Sequence, residues 1–515
     1  MELPPPRPPV VQPSWPPADA HHLLLNSATM QGLEADLFAS GLPVAALMEK
    51  AGLGLAEAVL QWPLLEQHGL LVLVGPGHNG GDGLVVAREL HNRGRAVRIW
   101  SPFSAHKPLT ASHLRHAEWL GIPRLHSPPD ANEPALWLDA LFGLGQRRPL
   151  QGEVAQVLQQ RSLSKQPLWS IDGPSGLCSD SGEPTGPITA RCNRTLVVGA
   201  WKQGLWQDCA MAWVGQQQRI ELQLPTALLE RWGAGAARGL WSSDAQAAGA
   251  PEVGSDRAAS KHGRGRLRVI AGSQAYPGAG RLALEGASAT GLGWLEAVLP
   301  SPVDQQLWQV LPHVVLKPDT APLERLDAVV FGPGLAGGSL PSGLQAFSGL
   351  LLLDADGLNR LAATGEASQW LRQRGGPTWI TPHRAEFERL FPELAAAPPL
   401  QAVAEAAQRC RCSVLLKGAH SLIASADGAV HQLLQSDPWA ARAGLGDVLA
   451  GYSAGMGAMA LAAGHQAASP NFHAVLALAA LQHASAGVNC AARGRGSASP
   501  LAVAQQLQQP QRQTR

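Results

Sequence analysis

Short apolar runs separated by helix-length segments recur along almost the whole chain, and such alternation folds into parallel sheets wrapped by helices. Strands are expected at 70–74, 96–100, 135–141, 168–171 and 195–198, and again at 266–270, 295–299, 328–331, 350–353, 378–381, 413–416 and 421–424. Between the two series, residues 226–260 shift to Ala, Gly and Ser with few apolar runs. Two α/β domains are therefore expected, 23–225 and 261–505, joined by a linker over 226–260. The chain opens on MELPPPRPPVVQPSWPP, whose prolines forbid a helix and which lacks the apolar core of a secretory signal. A disordered leader over 1–22 is the expectation.

Composition narrows the function. Forty Lys and Arg offset 39 Asp and Glu, and charged residues make up only 15% of the chain. No excess of either sign points to nucleic acid or an anionic membrane surface, so small molecules are the expected partners. The apolar stretches 448–464 and 472–488 are built from Ala, Gly and Ser with interspersed His, which suits buried helices of a soluble protein better than membrane spans. Six cysteines without a CxxC pair fit a reducing compartment, and a cytoplasmic location is expected.

In the first domain, LLVLVGPGHNGGDGLVVARELHNRG places a glycine-rich turn between a strand and a helix expected to begin near Gly83. Backbone amides there could cradle an anion. Gly75, Gly77 and Gly80 satisfy GxGxxG, but the next strand, AVRIWSPF, offers no acidic residue for a ribose hydroxyl, which argues against a conventional dehydrogenase. GHNGGDG is followed by DALFGLGQRRPLQG from Asp139 and IDGPSGLCSDSG from Ile171, with MEKAG and WKQG beside them. Together these motifs resemble the NAD(P)H-hydrate epimerase domain, a Rossmann-like three-layer fold.

That resemblance implies a potassium ion held by Asn79, Asp139 and Ser175. It implies substrate contacts from His78, Asn79, Gly80, Gly81 and Asp82, from Gly143, Leu144, Gly145, Gln146, Arg147, Arg148 and Pro149, and from Asp172. Amide, carboxylate and hydroxyl oxygens suit such a hard cation. Asp172 would move the proton when the C6 hydroxyl of a hydrated nicotinamide leaves and returns, with Lys202 as a second candidate. His78 stands where the family usually has Asn.

In the second domain, KHGRGRLRVIAGSQAYPGAGRLALEG is followed in order by FGPGLAGG, LLDADGLNRL, TPHRAEFERL, LLKGAHSLIA and AGLGDVLAGYSAG. This series resembles the NAD(P)H-hydrate dehydratase domain, which has the ribokinase-like fold. Gly444, Gly446 and Asp447 open an apolar helix whose first amides could stabilise transferred phosphate, while Asp447 could take a proton from an attacking hydroxyl. The resemblance assigns hydrate contacts to Ala279, Gly334, His383 and Asp447, and nucleotide contacts to Lys417, Gly418, Ala419, His420, Ser421 and Gly446. Asp354 and Asp356 read either as turn residues after a buried strand or as carboxylates ordering the waters of magnesium.

The implied function is a bifunctional repair of hydrated NADH and NADPH. The first domain would interconvert the R and S hydrates, and the second would dehydrate the S form with ADP as phosphoryl donor and magnesium as cofactor. Family members often form oligomers, so a homo-oligomer is an expectation. Two alternatives stay open: a first domain that only binds, as the His78 departure suggests, or a second domain that phosphorylates a small alcohol.

Overall fold

The computed structural model describes residues 14–247, 260–300, 307, 309–464 and 471–508. They form two compact units, one over residues 18–237 and the other over residues 14–17 together with the described residues from Arg238 to Gln508.

The first unit is built on seven parallel strands, β1 Leu70–Val74, β2 Val97–Trp100, β3 Arg124–Leu125, β4 Leu136–Ala140, β5 Leu168–Ile171, β6 Arg194–Val198 and β7 Gln216–Ile220. Their order across the sheet is β3-β2-β1-β4-β5-β6-β7. Leu, Val, Ile and Trp dominate the central strands, which are buried on both faces, as a parallel sheet covered by helices requires. The order reverses between β1 and β4. In open sheets of this kind, ligands bind in the crevice outside the carboxyl ends of the strands at that reversal.

The second unit has ten strands: β8 Ala237–Leu240, β9 Arg266–Ile270, β10 Trp294–Val298, β11 Val315–Leu316, β12 Ala328–Phe331, β13 Leu350–Leu353, β14 Thr378–Ile380, β15 Ser413–Leu416, β16 Leu422–Ala424 and β17 Val430–Leu433. They run in the order β11-β10-β9-β12-β13-β14-β15-β16-β17-β8, parallel except where β16 pairs antiparallel with β15 and β17. Here the reversal falls between β9 and β12. Helices Pro277–Ala289 and Leu445–Gly464 pack closely because Gly451 faces the Ala283 carbonyl, where an added Cβ would sit 1.8 Å from the oxygen.

Among the described residues one helix, Phe472–Ala491, is long and apolar enough to cross a membrane, and 72% of its most apolar window is buried in the protein. Val475, Leu476, Leu478 and Leu481 of that helix join the core of the second unit.

The structure differs from the sequence expectation at both ends of the first domain. The expected linker contains helix Thr226–Trp232, strand β8 and a 3-10 turn at Ser242–Gln246, while residues 248–259 lie outside the described residues. Of the expected leader, residues 1–13 lie outside the described residues, but Ser14 onward is ordered. Trp15 is 9% exposed in the core of the second unit, its Nε1 donates to the Asp244 carbonyl at 2.9 Å, and its ring lies 5.9 Å from that of His431. Arg238 donates to the Pro16 carbonyl at 2.7 Å. A large aromatic side chain with a satisfied N–H overrides the local disorder that prolines suggest.

Candidate active sites

The glycine-rich segment after β1 is the start of a helix. Helix His78–Asn92 begins five residues before the expected Gly83, so His78, Asn79, Gly80 and Gly81 form its first turn and Asp82 follows it. Each glycine inside a helix costs about 1 kcal/mol relative to alanine, which hides the helix from propensity. Packing explains them better than an anion does: a Cβ on Gly75 would lie 1.7 Å from the Leu141 carbonyl oxygen, and one on Gly80 would lie 2.1 Å from that of Gly75. Only Gly77 faces open space.

The residues gathered at the β1/β4 reversal are those the motifs point to. Asp139, in β4, is fully buried and accepts from Ser175 N at 2.8 Å, Ser175 Oγ at 2.7 Å and Leu141 N at 3.2 Å. Burial pushes its carboxyl up to about 6, although those hydrogen bonds pull it down. Asn79 donates to the Ile171 carbonyl, and a Cβ on Gly143 would lie 3.3 Å from its Oδ1. That buried Oδ1 finds no hydrogen-bond partner among the described residues. An orphaned amide oxygen, a buried carboxylate penalised for its charge and a hydroxyl are a donor set that fits a weakly held monovalent cation.

Asp172 follows β5 in the left-handed region at φ 64°, a conformation that non-glycine residues hold only when their surroundings enforce it. Its Oδ1 accepts from Val198 N at 2.9 Å and from Lys202 Nζ at 2.8 Å. Two further carboxyls share this field. Burial raises Asp82 well above its ordinary range, with the Asp172 and Glu34 charges adding to it, and burial likewise raises Glu34. Burial, with help from Lys107, holds His78 below the usual histidine range.

The loop after β4 divides. Arg147, Arg148 and Pro149 are exposed, and Leu144 and Gly145 lie beside them. The Gln146 side chain is engaged with the protein itself, donating to the Phe142 and Pro174 carbonyls and accepting from Gly176 N at 2.7 Å. Any contact from Gln146 to a ligand is therefore left to its backbone.

In the second unit the candidate residues lie just beyond the carboxyl ends of the central strands. Helix Leu445–Gly464 places Asp447 in its first turn, after Gly444 at φ 90°. Burial and the Asp354 charge push the Asp447 carboxyl up to about 7, with Lys417 opposing them. A Cβ on Gly446 would lie 3.6 Å from Lys417 Nζ, and one on Gly334 would lie 2.6 Å from the Ala279 Cβ. His383 caps helix Arg384–Leu390 in a reciprocal arrangement with Glu386, and it pairs with Lys417 across an isolated bridge. Gly418 N donates to Ser421 Oγ at 3.2 Å, closing the turn that carries Ala419 and His420.

The family described as YjeF-related protein N-terminus matches residues 44–204, and the family described as NAD(P)H-hydrate dehydratase matches residues 267–509. The bifunctional NAD(P)H-hydrate repair enzyme Nnr of Gloeobacter violaceus is 41% identical over 448 residues, covering 83% of this chain and 87% of the relative. This chain belongs to the bifunctional NAD(P)H-hydrate repair enzyme family. The Synechocystis member is 38% identical, covering 84% of this chain and 85% of its own. Among solved structures, the ADP/ATP-dependent NAD(P)H-hydrate dehydratase from Bacillus subtilis co-crystallised with ATP and magnesium is 24% identical, with a TM-score of 0.42 over 52% of this chain and 95% of that chain.

Two features of the candidate sites escaped the sequence reading, Glu34 and the pairing of Asp354 with Lys417, while one of the two readings of Asp356 holds. Glu34, on helix Ser27–Ala39, carries no motif that would mark it. Asp356 accepts from Ala336 N at 2.9 Å and from Asn359, so the turn reading holds for it. Asp354 accepts from Lys417 Nζ at 2.5 Å and from Thr381 Oγ at 3.0 Å, a pairing between residues 63 apart in sequence. Both carboxylates are engaged by protein groups.

Proposed function

We propose that the protein repairs hydrated NADH and NADPH in two stages. The first unit interconverts the R and S epimers, and the second dehydrates the S form at the expense of a nucleotide, for which we favour ADP. The observation that carries this reading is the meeting, beyond the strand ends of the second unit, of a proton acceptor poised near neutrality with a buried ammonium at a helix start.

Asp447 takes the proton of the C6 hydroxyl, whose oxygen attacks the terminal phosphorus of the nucleotide. The bridging P–O bond breaks and nucleoside monophosphate leaves. The ring nitrogen's electron pair then expels phosphate from C6, and loss of a C5 proton restores the dihydronicotinamide. Lys417 and the amides around Gly446 hold the phosphates, with Gly418, Ala419, His420 and Ser421 at the nucleotide, while Ala279, Gly334 and His383 seat the hydrate. Positioning and charge stabilisation do most of the catalytic work in such transfers. Magnesium would be delivered with the phosphates, since this ion keeps several waters and seldom uses an all-protein cage.

In the first unit, Asn79, Asp139 and Ser175 would hold potassium, whose charge supports an ionised Asp139. Asp172, fixed by Lys202 and Val198 N, handles the proton as the C6 hydroxyl leaves and water returns to the opposite face. The reading places the enzyme in the cytoplasm, where its cysteines stay reduced.

The test is recovery of the reduced-nicotinamide absorbance from a mixture of R and S hydrates, with ADP, ATP or neither, in magnesium and potassium. Full recovery with a nucleotide is expected. Recovery of the S fraction alone, over times short against spontaneous epimerisation, would make the first unit a binding module. A stable phosphorylated small alcohol, with no dihydronicotinamide formed, would replace the dehydratase reading.

A further inference from the structure

Asp354 directly follows β13, with its side chain 2% exposed against 20% for that of Lys417. One carboxylate oxygen accepts from both Lys417 Nζ, at 2.5 Å, and Thr381 Oγ, at 3.0 Å. Lys417 continues from β15, and its backbone N donates to the Pro382 carbonyl at 2.8 Å. Three neighbouring strand ends thus converge on one ion pair, and that pair faces the start of the helix that carries Asp447.

A buried ammonium on a flexible stem is not positioned by its charge alone. A short charge-assisted hydrogen bond to a carboxylate that is itself anchored removes that freedom. The Ala355 backbone beside it is held at φ 46°, and a Cβ on Gly332 would lie 1.8 Å from the Asp354 carbonyl oxygen, so the chain around Asp354 is tightly constrained.

We propose, on the dehydratase reading of this unit, that Asp354 is a positioning residue: it aims the Lys417 ammonium at the nucleotide phosphates, beside the start of the helix that carries Asp447.

The charges around these groups agree in sign. Burial alone would lower the Lys417 ammonium, but Asp354, Glu386 and Asp447 outweigh it and raise it. Asp447 is raised by burial first and by the Asp354 charge second. From the helices packed against the Asp447 helix come few competing groups. Arg281 and Glu285 pair with each other at 3.5 Å on helix Pro277–Ala289, and His483 on helix Phe472–Ala491 is pushed down to about 4 by burial. His383 is engaged with Glu386 at 3.4 Å.

The experiment is the pH profile of nucleotide-dependent dehydration of the S hydrate by the full chain, with kcat and the nucleotide KM measured separately, for wild type, Asp354→Asn and Asp354→Glu. Removing the Asp354 charge takes away repulsion that favours the protonated Asp447 and frees Lys417 to approach it. Both effects lower the acid limb, by about one pH unit, and the nucleotide KM rises roughly tenfold. Asp354→Glu keeps the charge but displaces the ammonium, so its nucleotide KM rises while its acid limb moves less than that of Asp354→Asn. An unmoved limb and nucleotide KM in Asp354→Asn would overturn the proposal even if kcat fell. If Asp354→Asn does not fold, an unchanged nucleotide KM in Asp354→Glu would overturn it. A wild type with no nucleotide-dependent dehydration would instead overturn the reading of the site.

Discussion

Lys202 Nζ donates to Asp172 Oδ1 at 2.8 Å and to the Val198 carbonyl at 2.5 Å, so one ammonium, 1% exposed, ties the residue after β5 to the end of β6. Removing one partner of a buried ion pair leaves an uncompensated charge and costs about 3–5 kcal/mol. Lys202→Met should therefore lower the unfolding midpoint of the first unit and abolish recovery of the R hydrate. Calorimetry beside the recovery assay checks both, and recovery of the S hydrate should persist.

Asp139 should make the first unit sensitive to pH and, on the proposed reading, to potassium. Its carboxyl, ordinarily near 3.8, is raised to about 6 in the fold. The folded protein therefore binds this proton more tightly than the unfolded chain does. Its contribution to stability is complete below the unfolded value and is lost as pH rises through about 6. The loss is on the order of 3 kcal/mol by neutral pH without a compensating charge. Potassium should restore it, so the gain in unfolding midpoint on adding potassium should be larger at pH 7.5 than at pH 5, and Asp139→Asn should erase that difference.

Asp447→Asn should remove nucleotide-dependent dehydration by a factor of about 100 or more, the usual scale of a lost general base. Epimerisation should continue at the wild-type rate, read as exchange between the R and S hydrates by chromatography.

The sequence expectations held where a motif sits just after a strand. Strands at 70–74, 168–171, 266–270, 328–331, 350–353 and 413–416 have the expected bounds because each is a short apolar run closed by Gly, Asp, Ala or Lys. β7, with the sequence QQQRI, was not legible: it has a single strand neighbour, so its polar side chains need no apolar alternation. The early start of helix His78–Asn92 was hidden because its glycines answer to contacts with residues far along the chain. Asp354 and Lys417 could each be noticed as a charged residue at a strand end. Their partnership depends on β13 and β15 flanking β14, which only the sheet order reveals.

Gly75 offers a severe test of that packing. The Cβ added by Gly75→Ala would fall inside the Leu141 carbonyl, so β1 and β4 would have to separate at their carboxyl ends. The variant should lose several kcal/mol of stability, at the upper end of ordinary point-mutation effects. Gly77→Ala meets nothing within 4 Å and should be close to neutral, which thermal melts of the two proteins would compare directly.

Trp15 precedes the first unit in sequence yet is buried in the core of the second. Order along the gene is therefore not order in space, and the second unit is discontinuous. A fragment beginning at residue 261, after the expected linker, would lack both the indole and β8, and so would start life with an open seam against His431. A dehydratase expressed alone from this gene would have to be given residues 14–17 back, by permuting the chain or supplying the peptide in trans. Splitting the two activities into separate genes would face the same obstacle.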